Sequence, residues 1–222
     1  MIDIIDEINA IRRRVGQTTL GESDARVVVA ERGYDAAIED VWDAITTPER
    51  LTRWFLPVSG DLRPGGTYQF TGNAGGRILR CEPPRLLRVT WIFGEHAEAG
   101  GSEVEVRLRS DAPERTTLEL EHVAAVDPAM WDRYGPGAVG VGWDLTLLGL
   151  GLHLGGTSIG NPDEWAVSPE GRGFATSSSE AWGAAYGAAG ASSEVVATAI
   201  RNTTGFYAPE PGPTGEGTPV SG

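Results

Sequence analysis

The chain has 222 residues, 40% hydrophobic and 22% charged, which is apolar enough for one domain with appendages or for two small ones. Its 18 basic residues, all Arg, face 31 acidic ones, for a formal net charge of -13 and a pI of about 4.6. That balance argues against nucleic acid and against insertion into anionic membranes, both of which need a basic face. The lack of Lys excludes Schiff-base and Lys-base chemistry. Cys81, the single cysteine, permits no internal disulfide and points to a reducing, cytoplasmic compartment. Met1–Glu7 is acidic and lacks the pattern of a signal peptide, and the apolar run near Leu145–Leu154 is too short for a bilayer.

Residues 3–15 carry Ile4, Ile5, Ile8, Ile11 and Val15 at three- and four-residue steps, which predicts an amphipathic helix stopped by Gly16. Such a helix either packs on its own domain or serves a homodimer or a protein partner. Arg26–Arg32 holds a β-branched run and reads as the first strand. Asp35–Thr46 follows as a helix with Ile38, Val41, Trp42 and Ile45 on one face. Thr47-Pro48-Glu49 then breaks the pattern and opens a second short helix over 48–55, since Pro suits the first helical position and Glu49 the helix dipole. Trp54 and Phe55 end this elbow.

Five short strands come next, at Thr67–Thr71, Gly76–Cys81, Leu86–Phe93, Glu103–Ser110 and Thr116–Val123. Their connections are short, so successive strands pair antiparallel. Alternation places Leu87, Val89, Trp91 and Phe93 on one face, joined by Val104, Val106 and Leu108 and by Leu118, Leu120 and His122. The opposite face is charged, as in a sheet covered on one side. A long helix spans Gly137–Leu154 and ends at Gly155-Gly156. Its four internal glycines each cost about 1 kcal/mol relative to Ala, which close packing or room for a ligand would offset. Asp163–Phe174 reads as a loop, Ser178–Ala189 and 192–202 as helices, and the tail from Ala208 as disordered.

Together these elements describe an α+β chain, and its words are familiar ones. Val41-Trp42-Asp43-Ala44-Ile45-Thr46-Thr47-Pro48-Glu49-Arg50-Leu51 with Trp54-Phe55 resembles the opening signature of the heat-shock-protein-90 ATPase activator homologue family, within the START-related, birch-pollen-allergen-like superfamily. Pro64-Gly65-Gly66 before Tyr68 and Phe70, Pro84-Arg85-Leu86-Leu87 before Thr90-Trp91, and Gly142-Trp143 match in the same order. The resemblance covers roughly residues 26–155. It implies a helix-grip fold, a curved antiparallel sheet wrapped around a long C-terminal helix, with extra helices at either end here. It also implies a cavity that in many relatives binds small hydrophobic molecules, and fold alone does not settle function. The expected organisation is an N-terminal segment (1–25), the helix-grip domain (26–156), a helical extension packed on it (157–207) and a tail (208–222).

No nucleophile elbow, phosphate loop or paired-His metal motif is present, so neither catalytic residue, metal nor cofactor is assigned. His96 reads as a solvated loop residue and His153 as a helix-end cation. His122 points at the covered face, as a satisfied core histidine or a cavity anchor. Asp144 is read onto the flank of the long helix, and Arg80 either reaches inside or lies on the surface. The predicted pocket for a small hydrophobic ligand lies between the sheet (Tyr68, Phe70, Val89, Trp91, Leu120, His122) and the helix (Trp143, Leu147, Leu150), gated by Trp54 and Phe55. The same aromatics could instead fill that space. The competing functional readings are a cyclase- or dehydratase-type enzyme using His122 and a chaperone- or regulator-binding protein. In the C-terminal extension, Trp165, Trp182, Tyr186 and Phe206 are the expected anchors, over either the cavity mouth or the outer sheet face.

Overall fold

The computed structural model describes residues 2–93 and 101–209. His96, the turn at Ala99-Gly100 and the tail from residue 210 lie outside the described residues. Eight antiparallel strands form one sheet: β1 Ile11–Leu20, β2 Ser23–Tyr34, β3 Val58–Gly60, β4 Thr67–Phe70, β5 Gly75–Glu82, β6 Leu86–Thr90, β7 Ser102–Ala112 and β8 Arg115–Ala124. Their order across the sheet is β1-β2-β8-β7-β6-β5-β4-β3. The helices are α1 Ile4–Asn9, α2 Ile38–Thr46, α3 Pro48–Trp54, α4 Pro128–Tyr134, α5 Gly137–Leu154, α6 Pro162–Val167, α7 Pro169–Ala188 and α8 Ser193–Tyr207. The sheet curves around α5, and the elbow α2–α3 closes one end, which is a helix-grip fold.

The N-terminal expectation needs correction. Helix α1 stops at Asn9, and Ile11–Leu20 is a strand paired with β2 from Ile11↔Arg32 to Leu20↔Ser23. The Ile and Val spacing that mimics a helix is equally an alternation: Ile11 and Val15 turn inward with the stem of Arg13, while Arg12 and Arg14 face solvent. An isolated helix of that length is marginal in water. Gly21, at φ 61°, supplies the tight turn that joins β1 to β2. Ile8 of the shortened helix is buried against Trp165 and Phe174, so α1 spends its apolar face on its own chain.

Helix α5 begins and ends where the sequence predicts. By length and composition it would pass for a membrane span, but it is the central element of a protein core. It is apolar all round because the sheet covers one side and the C-terminal helices the other. Its glycines make room for neighbours. A Cβ on Gly140 would lie 2.3 Å from the Trp182 ring of α7, and one on Gly151 would lie 2.8 Å from the Arg32 guanidinium.

Residues 163–174, expected as a loop, are helical apart from Ser168, which separates α6 from α7. Helix α7 packs on α5, α1 and β1, and α8 packs on α7 and α4. The extension therefore covers the flank of α5 and the β1 edge, rather than the cavity mouth or the outer sheet face. Trp182 is fully buried and Trp165 nearly so, while Phe206 is 66% exposed and meets Tyr134 edge-on at 6.3 Å. A polar contact also pins the extension. Asp144 is completely buried, and its Oδ2 accepts from Arg13 at 3.0 Å, Ser178 at 2.5 Å and Trp182 at 3.1 Å. One carboxylate thus ties β1, α5 and α7 together, so Asp144 is a core group and not a flank residue.

Candidate functional site

The sheet and helix do not fill the space between them. A chamber of about 170 Å³ remains. Its floor is Tyr68, Phe70, Ile78, Val89, Trp91 and Leu120, its roof Trp143, Leu147 and Leu150, and its end wall Trp54, Phe55 and Val58. Of the eleven residues read from the sequence as pocket lining, ten lie here. The eleventh, His122, does not: it sits behind Trp143 and faces a second, wider groove of about 900 Å³. Phe55, Trp91, Trp143 and Thr146 border both spaces. Phe93, placed on the covered face by alternation, lies beyond the end of β6 and is 70% exposed.

Alternation misleads at one other point. Ile78 pairs with Val89 but Arg80 pairs with Arg88, so the strand carries one extra residue between them. Such a bulge turns the following side chains over. Arg80 faces solvent with Glu82 as its partner, and Cys81 takes the chamber side instead. Burial pushes the Cys81 thiol up, which keeps it protonated.

The lining is a chain of aromatic contacts. Centroid separations are 5.6 Å for Trp54–Phe55, 4.9 Å for Phe55–Phe70, 5.9 Å for Phe70–Trp91 and 4.9 Å for Trp91–Trp143. These are the distances at which rings attract beyond simple burial. Several polar atoms of the lining are already engaged. Tyr68 Oη donates to the Thr90 carbonyl at 2.7 Å, Thr146 Oγ1 to the Gly142 carbonyl at 2.8 Å, and Trp54 Nε1 to the Ala44 carbonyl at 3.0 Å. Burial holds the Tyr68 phenol well above its ordinary value, so it stays neutral. The chamber therefore presents mostly carbon to whatever enters it, with Arg63 the one charged residue among its described lining.

His122 has both nitrogens occupied. Trp143 Nε1 lies 3.1 Å from Nδ1, and Ser102 Oγ lies 2.7 Å from Nε2. The indole N–H can only donate, so Nδ1 must accept and the ring proton sits on Nε2. Burial lowers the His122 pKa from 6.5 to about 4. A nucleophile-activating histidine needs a free lone pair on the nitrogen facing the hydroxyl, and here that nitrogen carries the proton. His153, expected as a helix-end cation, turns its Nε2 toward Arg50 at 3.3 Å and its ring against Trp54. Desolvation, then the charges of Arg50 and Arg53, lower its pKa.

A curved sheet gripping one helix over an apolar chamber defines a helix-grip protein. The chain belongs to the family described as Activator of Hsp90 ATPase homolog 1-like protein, whose model matches residues 35–155. The crystal structure of CalU16 from Micromonospora echinospora is similar at 37% identity and a TM-score of 0.64, covering 79% of this chain and 98% of that one. Its solution structure gives 37% and 0.67, covering 81% and 97%. A Bordetella parapertussis protein, encoded by gene BPP1335, is 28% identical with a TM-score of 0.51, covering 70% and 84%. Among curated proteins, none matches.

Proposed function

We propose that the protein binds a small hydrophobic or aromatic molecule in the inner chamber. The observation that carries this reading is the unfilled space of about 170 Å³ behind Trp54 and Phe55. An apolar cavity of about 150 Å³ in another protein stays dry and takes up benzene, so this one suits a single ring or a short branched chain. Binding rather than turnover fits the lining. Among the described residues it holds no carboxylate and no imidazole, and its one thiol is protonated. The occupied nitrogens of His122 weigh against the cyclase or dehydratase reading. The lone thiol, with no disulfide partner, fits a cytoplasmic setting.

The test is calorimetric titration and thermal denaturation with benzene, ethylbenzene and indole, on the wild type and on Val106→Phe, which grows a ring into the chamber from β7. At ten times Kd, ligand should add about 1.4 kcal/mol, or roughly 3–6 °C in Tm for a chain of this size. Val106→Phe should remain folded and lose the response. The reading fails if no compound shifts the wild type, or if both proteins shift equally.

A further inference from the structure

The groove beside the chamber contains a hydrogen-bond donor that finds no acceptor among the described residues. The indole of Trp143 fixes the proton of His122 on Nε2, which then donates to Ser102 Oγ at 2.7 Å. A serine hydroxyl that accepts still has its own proton to donate. Among the described residues no acceptor takes it. Ser102 opens β7 and is half-buried on the groove wall, just past the aromatic partition formed by Trp91 and Trp143. The direction of this relay is not free to reverse: indole has no lone pair to offer, and a ring forced neutral by burial has no second proton.

From this geometry we infer that Ser102 is a specificity residue for a neutral carbonyl oxygen on a ligand that reaches from the chamber into the groove. The inference rests on the ligand-binding reading and adds a chemical class to it, a ketone, ester or amide joined to an apolar end. An acceptor is required because Ser102 is left as a donor. A neutral one is required because, among the described lining residues, no cation is free to meet a charged one: the groove has no Arg, Glu103 is already paired with Arg88, and His122 carries no charge. A carboxylate there would lose water without gaining a counter-ion. The four residues shared by both spaces place the acceptor near the partition, so the apolar end stays in the chamber.

The test is a series of phenyl-substituted alkan-2-ones of increasing chain length, each titrated beside the alkylbenzene in which a methylene replaces the carbonyl. At one length the ketone should bind the wild type about three- to tenfold tighter, the range of a single well-made hydrogen bond. Ser102→Ala should abolish that preference and leave the alkylbenzene affinity unchanged. Ser102→Thr, which keeps the hydroxyl, should retain it. If alkylbenzenes bind but no ketone of any length is preferred, or if the preference survives in Ser102→Ala, the Ser102 assignment is overturned while the chamber stands. If no member of either series binds, the ligand-binding reading fails and takes this one with it.

Discussion

Lowering the pH from 8 to 5 should destabilise the protein by about 2 kcal/mol through His122 alone. The folded-state pKa of about 4 lies below the ordinary value of 6.5, because burial penalises the imidazolium. Between those two values the unfolded chain holds a proton that the folded one refuses. The stability contributed by neutral His122 is therefore complete above pH 6.5, shrinks as the pH falls, and is gone by about pH 4. The full loss is about 3 kcal/mol, at roughly 1.4 kcal/mol per pH unit between the two values. The assay is urea unfolding at pH 8, 6.5 and 5 for the wild type and for His122→Asn. Asn keeps an acceptor for Trp143 but cannot titrate. Other titrating groups, Asp144 among them, act in both proteins and drop out of the difference. The gap between wild type and variant should narrow by about 2 kcal/mol from pH 8 to pH 5, with unchanged m-values. Parallel curves would show that His122 is not buried as a neutral ring.

Three further outcomes follow from the packing. Asp144→Ala should cost about 3–5 kcal/mol, the usual effect of leaving a buried charge, here Arg13, without its partner; chemical denaturation measures it, and the double variant Arg13→Met/Asp144→Leu should recover much of the loss. Gly140→Ala should lower Tm despite the better helix propensity of Ala, because its Cβ would lie 2.3 Å from the Trp182 ring; overpacking of that kind costs about 1–3 kcal/mol, and Trp182→Leu in the same chain should relieve it. Tyr68→Phe removes the hydroxyl that donates to the Thr90 carbonyl and should cost about 1 kcal/mol in the same unfolding assay while leaving the chamber apolar.

The parts of the fold legible in sequence are those where one periodicity dominates. The alternation of Leu118, Leu120 and His122 and the breaks around Gly137–Leu154 admit one reading each, and the structure follows both. Residues 3–15 admit two, because Ile4 to Val15 satisfies a helical period while Ile11 to Val15 satisfies a strand. Long-range pairing with β2 decides between them, and no local signal reports it. Helices α4, α6 and α7 are a different case. Each starts with a capping residue followed by Pro: Asp127-Pro128, Asn161-Pro162 and Ser168-Pro169. Each cap accepts hydrogen bonds from the first-turn amides, so these starts were readable from capping chemistry alone. The site divides the same way. Its apolar wall follows from alternation and the elbow. Cys81 on the chamber side depends on a bulge after Ile78, and the Trp143–His122–Ser102 relay joins three elements far apart in the chain.

The central claim is that the space under α5 is a ligand site, and the most direct measurement is a crystal of the protein soaked in iodobenzene. The account predicts one strong anomalous peak inside the chamber, among Tyr68, Trp91 and Leu147, with the surrounding side chains in place. A chamber closed by those side chains, with iodine found only at the molecular surface, would contradict it.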